Sequence, residues 1–406
     1  MPDPRDTDAP VLVINSGSSS VKYQLVRPSG ERLAAGLVER VGEGGSSWRH
    51  ERDGGRETGT EPVADHEAAF ALVGRLFGEL GPDLAAGADG GDGVAAVGHR
   101  VVHGGRRFSD ATLVTPEVEQ AIDDLSSLAP LHNPPALAGI RAARALLPDV
   151  PAVAVFDTAF FADMPEAART YAIPRDLADE HGIRRYGFHG TSHGYVSRLA
   201  AETLGRPYEE VDQVVLHLGN GASASAVRGG RAIDTSMGLT PLQGLVMGTR
   251  SGDVDPGLHG FLATAAGLSA GDVDALLNTR SGLLGLAGVN DFRELQQHRA
   301  AGDEAAQLAL DVYVHRIRGY LGAYLVALGG LDALVFTAGV GEHDAALRAA
   351  VVDGLEGLGL AIDPERNAAS SDGPRVISPA GAEVAVLVVP TDEELSIAQQ
   401  AAAVVA

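Results

Sequence analysis

Several short segments of this chain carry residue types suited to binding anions. One lysine occurs among the 31 Lys plus Arg, and it lies in NSGSSSVKY, residues 15–23. Lys22 is a compact point charge on a flexible stem, suited to a phosphate, where arginine is a planar fork. It follows a Ser/Gly turn at residues 15–20, and similar small-residue turns stand at 219–225 and 339–342. Short side chains let backbone N–H groups approach an anion, and hydroxyls add further donors. Three such turns, each after an apolar run, favour a nucleotide. The G-x-x-x-x-G-K-[ST] pattern is absent, so the chain is not a P-loop protein.

Arginine and aspartate complement these turns. GHRVVHGG (98–105) sets Arg100 among apolar residues, and MGTRSGDVDPG (247–257) sets Arg250 in a Gly-rich loop. A buried guanidinium is costly without an anion, so each calls for a carboxylate or a phosphate. VAVFDTAFF (153–161) puts Asp157 at the end of an apolar strand, where α/β sheets hold their ligands. His189 and His193 stand four apart in YGFHGTSHGYV (186–196). That spacing suits a metal on one helix face, but the glutamate of a zincin motif is missing. Gly190, Thr191 and Ser192 read instead as a turn at a helix start. LHNPP (131–135) holds His132 in a rigid, proline-flanked loop.

These residues need strands and turns to position them. Residues 11–14 form an apolar run that ends in the first Ser/Gly turn and returns at 21–26 with alternation, which predicts a hairpin. Residues 213–227 repeat the plan around Gly-Asn-Gly, and two such hairpins about 200 residues apart imply a duplicated fold. Residues 333–337 and 384–389 predict further strands, the last leading into a helix from Asp392. Residues 65–80 carry helical spacing, whereas 42–60, with Trp48 inside, and 81–93 read as loops. Strands alternate with helices, so the class is α/β.

Composition sets the bounds. A chain of 406 residues is long enough for two cores. Its net charge of -23 disfavours nucleic acid or an anionic membrane as partner. Without cysteine there is no disulfide, thiolate nucleophile or Cys-based metal site. The acidic start, MPDPRDTDAP, has no apolar signal segment, no apolar run spans a membrane, and a cytoplasmic location is expected.

Taken together, the chain resembles the acetokinase family of the actin/hexokinase/Hsp70 superfamily. NSGSSSVKY, GHRVVHGG, LAPLHNPP, VFDTAF, YGFHGTSH, HLGNGAS, DTSMGLTPLQGLVMGTRSGDVDP, SGLLG, FTAGVGE and TDEEL fall in the family's order between Val11 and Ile397. The resemblance implies a duplicated actin-like ATPase (ribonuclease H-like) fold of two domains with an interdomain active-site cleft. The domains would be 1–162 plus 394–406, on the acyl and phosphate side, and 163–393, carrying the nucleotide and a dimer contact. It implies a homodimer that transfers a phosphoryl group from ATP to acetate, directly and in line, giving acetyl phosphate and ADP. Mg2+, or Mn2+ in its place, would assist. A propionate or broader short-chain acyl kinase is the alternative. An ATP-driven switch like the superfamily's chaperones would need a peptide-binding domain that the length does not supply.

Position by position, the resemblance makes Arg100 and Arg250 the pair that holds acyl substrate and transferring phosphate. Asp157 becomes the carboxylate needed for phosphoryl transfer, and His189 the group that steadies the transition state. Asn15, Ser18, Ser20, Lys22 and His132 would line the phosphate and magnesium region, with Asn15 and Glu393 positioning the metal. His217, Gly219, Asn220 and Gly221 match the second phosphate loop. Asp291, Phe292, Arg293, Gly339, Val340, Gly341 and His343 match the nucleoside side. Val102, Leu131, Phe188 and Pro241 match the apolar pocket for the methyl group. Three positions depart from the family. His343 stands where asparagine is usual and bears on base preference, residues 161–163 replace a more polar stretch, and Arg280 replaces a common lysine.

Overall fold

The computed structural model describes residues 8–84 and 93–406. The acidic start at 1–7 and most of the loop expected at 81–93 lie outside the described residues. The chain forms two compact units, Met1–Ala162 with Asp392–Ala406, and Asp163–Thr391. The second boundary falls two residues before the one expected at 393/394, because the Asp392 side chain caps the last helix by accepting from Leu395 N.

The first unit is built on strands β1 (Val11–Ser16), β2 (Ser20–Val26), β3 (Arg32–Glu39), β4 (Ser46–Arg52), β5 (Gly55–Glu61), β6 (Ala96–Val101), β7 (Thr112–Leu113) and β8 (Ala152–Phe156). Their order is β5-β4-β3-β2-β1-β6-β8-β7. β1, β6 and β8 run parallel, and β1 to β5 form an antiparallel meander. Period-two alternation divides the β1 side chains between two faces. Leu12 and Ile14 share a core with the His66–Leu80 helix, while Val11 and Val13 join Ile397, Ala398 and Ala401 of the Glu393–Val405 helix. Burying one such aliphatic side chain contributes about 1.5–3 kcal/mol. The last helix lies close over the sheet at Gly98, where an added Cβ would stand 2.8 Å from Ile397 Cγ2.

One expectation is overturned here. Residues 46–61 are not loop but the β4–β5 hairpin, turning at Asp53 and Gly54. The pair has few apolar residues because it forms the sheet's outer edge. Trp48 lies directly across from Gly59, where a Cβ would meet its ring at 2.5 Å.

The second unit repeats the plan with β9 (Gln213–Leu218), β10 (Ala222–Arg228), β11 (Arg231–Thr235), β12 (Ala333–Thr337), β13 (Arg375–Val376) and β14 (Ala385–Val388). The order is β11-β10-β9-β12-β14-β13. β11-β10-β9-β12-β14 matches β3-β2-β1-β6-β8 in order and in strand sense, so the duplication is real. The closing helices are exchanged along the chain. The Gly190–Thr203 helix, which comes after β8, packs on β9 and β12, whereas the Glu393–Val405 helix, which comes after β14, packs on β1, β6 and β8.

Candidate active site

In the first unit the charged residues collect at the carboxyl ends of two neighbouring parallel strands. Arg100 lies near the end of β6, and Asp157 directly follows β8, its N–H donating to Val101 O at 3.0 Å. Arg100 Nε donates to both Asp157 carboxylate oxygens at 3.1 Å, and Nη2 donates to Oδ2 at 2.7 Å. Asp157 is 1% exposed, so the fork is nearly dry on the carboxylate side. Burial works against the Arg100 charge, but the carboxylates of Asp157 and Glu393 outweigh it and hold its pKa above the ordinary arginine value. Glu393 Oε2 stands 3.8 Å from Arg100 Nε.

The first Ser/Gly turn forms as expected between β1 and β2. Asn15 faces Lys22 across the ladder, Gly17 N–H donates to Ser20 O at 2.8 Å, and Ser18 is exposed. Lys22 is ion-paired with Glu394. His132 precedes the Asn133–Leu146 helix, beside exposed Leu131, and Val102 is half-buried. Three supports here were not read from the sequence. His66 Nε2 lies 2.8 Å from Gly17 O. Asn133 accepts from His103 N at 3.2 Å and donates to His103 O at 3.1 Å, and Thr158 Oγ1 accepts from Gly104 N at 2.9 Å. Asn133 sits in the quoted LHNPP motif, so that signal was present; His66 carries none.

Among the described residues no group of three or more His, Cys, Asp or Glu side chains forms a metal cage. Mg2+ does not need one, since it commonly takes one or two carboxylates and completes its shell with water and substrate phosphate. The donor set fits that mode. Burial pushes the Glu393 carboxyl up, against the pull of Arg100 and with further push from Asp157 and Glu394, so a cation there would relieve crowded negative charge.

In the second unit, His189 caps the Gly190–Thr203 helix in the left-handed region, φ 58°. Its ring stacks on His217 at 4.3 Å, and Nδ1 lies 2.9 Å from Ser223 Oγ. An added Cβ on Gly221 would stand 3.4 Å from His189 Nε2 and 3.9 Å from Arg250 Nη2, so histidine and arginine flank one glycine. Arg250 donates to Pro241 O at 2.8 Å. Burial pushes its pKa down, and among the described residues no carboxylate pairs with it. The loop is braced by Asp253, which accepts from Gly244 N at 3.0 Å and from the Tyr320 hydroxyl at 2.7 Å. Phe188 is buried and Pro241 half-buried.

A cavity of about 1040 Å³ opens beside this loop. Gly219 and Asn220, Asp291 to Arg293, Gly339, Val340 and His343 line it. Gly221 and His217 are not on its wall, and Gly341 is buried beneath. Asp291 caps the Phe292–Ala300 helix, and the Arg293 side chain with backbone N–H donors brings its carboxyl down to about 2. Gly248 must stay small, because a Cβ would fall 1.9 Å from Asn220 Oδ1. His343 Nδ1 lies 2.9 Å from Gly339 O.

The strongest support in this unit was also missed. Arg348, 1% exposed, donates to Gly341 O and Glu342 O at 2.9 Å and to Asn367 Oδ1 at 2.7 Å. It fixes the short Ala338–His343 helix that stands after β12 in place of the turn expected at 339–342, and Ala338 at its start takes a φ of 63°. Burial, then Arg375, pulls its pKa down to about 10. Its local sequence, AALRAAVV, is that of any amphipathic helix.

The family match decides what these residues belong to. The model of the Acetokinase family matches residues 10–399. The chain belongs to the acetokinase family. Acetate kinase of Leifsonia xyli subsp. xyli is 59% identical over 397 residues, covering 98% of this chain and 99% of the relative. Acetate kinase of Streptomyces coelicolor is 59% identical over 398 residues, 97% of each. Among solved structures, acetate kinase of Porphyromonas gingivalis superposes with a TM-score of 0.91 at 43% identity, over 98% of this chain and 100% of that one. A propionate kinase from Francisella tularensis subsp. tularensis gives 0.90 at 40% identity, over 97% and 98%. Against these full-length family relatives, the fold is the actin-like two-domain α/β fold.

Proposed function

We propose that this chain is an acetate kinase, moving the terminal phosphoryl group of ATP to the carboxylate of acetate and, in reverse, from acetyl phosphate to ADP. The observation that carries this reading is the asymmetry of the two arginines. Arg100 holds a carboxylate of the protein, while half-buried Arg250 has none among the described residues. A guanidinium taken partly out of water and left unpaired is what an anionic substrate repays.

The chemical problem is repulsion. A carboxylate must approach a phosphoryl group that already carries negative charge, and two unit charges about 4 Å apart repel by roughly 4 kcal/mol at an effective dielectric of 20. Arg100, Arg250 and Lys22 offset that term and stabilise charge on the equatorial oxygens. His189 adds a hydrogen bond to the same oxygens. The carboxylate is already a nucleophile, so Asp157 is not needed as a base and instead fixes the Arg100 fork. Asn15 and Glu393 would hold Mg2+ through water, and the ion would supply further charge neutralisation on the phosphates. Transfer is direct and in line; net retention at a chirally labelled phosphorus would refute it. The nucleoside occupies the 1040 Å³ cavity, with Phe292 and Val340 as its apolar walls.

The propionate kinase neighbour keeps a second substrate in view, because an apolar pocket separates acids by only about 1–3 kcal/mol per methylene. We also propose a cytoplasmic homodimer formed through the second unit, whose long Glu304–Leu328 helix exposes Leu308 and Val326. The deciding assay follows ADP release with acids of two to four carbons and traps acyl phosphate with hydroxylamine. Acid-dependent turnover, greatest with acetate, is expected. ATP turnover that ignores added acid would overturn the reading.

A further inference from the structure

His189 is one end of a hydrogen-bonded chain that runs into the core of the second unit. Its Nδ1 lies 2.9 Å from Ser223 Oγ, and Ser223 Oγ lies 2.7 Å from His193 Nε2. His193 Nδ1 lies 2.7 Å from Ser225 Oγ. Ser223 and Ser225 are successive inward residues of β10, and His193 stands one helical turn after His189, so strand and helix periodicity bring the four into line. His193, Ser223 and Ser225 are all 0% exposed.

Each hydroxyl has a single proton, so the chain has two self-consistent orders. In one, Ser225 donates to His193 Nδ1, His193 Nε2–H donates to Ser223, and Ser223 donates to His189 Nδ1. His189 then carries its own proton on Nε2. In the other, every donor is reversed: His189 Nδ1–H donates to Ser223, Ser223 to His193 Nε2, and His193 Nδ1–H to Ser225. The orders differ at the buried end. The Ser225 hydroxyl has one acceptor among the described residues, His193 Nδ1, and the reversed order leaves its proton without any. An unmade bond by a buried donor is enough to bias the two orders by about 5- to 150-fold. A doubly protonated His189 must also donate from Nδ1 to Ser223, which leaves one buried hydroxyl proton, on Ser223 or on Ser225, without an acceptor. It would also set a charge against the stacked His217 ring 4.3 Å away.

We propose that Ser225, His193 and Ser223 are positioning residues that hold His189 as the neutral imidazole with its proton on Nε2, the edge that reaches Gly221 beside Arg250. His189 therefore enters the reaction with a donor already aimed and needs no proton from solvent. His193 is suited to the relay because burial keeps it neutral, its pKa held well below the ordinary histidine value by desolvation and then by His217. The role of this donor rests on the phosphotransfer reading above; the tautomer does not.

The test separates the two. 15N-histidine spectra of the full chain without substrate, at neutral pH, are expected to show His189 protonated on Nε2 and bare on Nδ1. A His189 protonated on Nδ1, or on both nitrogens, overturns the proposal whatever the enzyme's substrate proves to be. Ser225→Ala removes the tie-breaking donor. Its His189 signal is expected to move towards a mixture of tautomers, with kcat falling about tenfold and nucleotide KM changing less than about twofold. Ser225→Thr, which keeps the hydroxyl, is expected to restore both. An unchanged tautomer in folded Ser225→Ala overturns the proposal, and the wild-type spectrum decides it alone if that variant does not fold.

Discussion

Asp157 and Arg100 form a nearly dry ion pair in which Nη2 reaches Oδ2 at 2.7 Å. Asp157→Asn preserves the shape and removes the charge that holds the fork. Turnover is expected to fall about 10²–10³-fold, as for loss of a preorganised charge-stabilising group, while ATP affinity stays within about twofold by calorimetry. A folded variant that no longer binds ATP would contradict the proposed roles, in which Asp157 acts through Arg100 and the second unit's cavity takes the nucleoside. One residue before Arg100, His99 is 2% exposed, and its Nε2 has no partner among the described residues. Burial, then Arg144, pulls its pKa from 6.5 down to about 3. The unfolded chain therefore takes up a proton near pH 6.5 that the folded chain refuses. This contribution to stability is present above pH 6.5 and is lost by about 1.4 kcal/mol per pH unit as pH falls towards 3. Urea unfolding at pH 7 and pH 5 should show stability falling with pH, and His99→Leu should make that fall smaller while His193, held low by burial in the same way, keeps part of it.

At the level of elements, close approach of backbone to side chain sets the tolerances. Gly98 on β6 lies under Ile397, and Gly98→Val is expected to cost about 1–3 kcal/mol as overpacking, seen as a lower urea midpoint with an unchanged slope. Gly248 lies against Asn220 at the cavity wall. Gly248→Ala should displace that side chain and raise nucleotide KM with acetate KM unchanged; equal rises in both would argue against a local effect. The elements also differ in how openly the sequence declares them. The hairpin at 213–227 is legible because β9 carries an apolar run at 214–216, β10 alternates small residues, and the turn between them is Gly-Asn-Gly. The β4–β5 hairpin is not, since an edge pair needs only one buried face and here its buried residues, Ser46 and His50, are polar, with half-buried Trp48 between them. The same holds within the site. Arg100, Asp157 and Arg250 are visible as charges in apolar or glycine-rich runs, whereas Arg348, Ser223 and Ser225 look like ordinary helix or strand residues.

For the molecule as a whole, the last helix closes the first unit although it follows the second in sequence. Removing residues 393–406 strips Ile397, Ala398 and Ala401 from Val11, Val13, Val153 and Val155. Such a truncation is expected to lose cooperative unfolding of the first unit, read by hydrogen exchange, with β9 and β12 retaining slow exchange. Protection of β1 equal to that of the full chain would refute this account of the core. What the chain determines by itself is local: which runs become strands, where small residues must turn, and which charged side chains sit where burial is costly without an anion. Tertiary structure alone decided that Arg348 holds the Ala338–His343 helix, that Asp157 accepts from the Arg100 fork, and that Ser225 orders the protons of His189. These depend on residues far apart in sequence meeting in a dry interior, where every donor must find an acceptor, and no local pattern records that requirement.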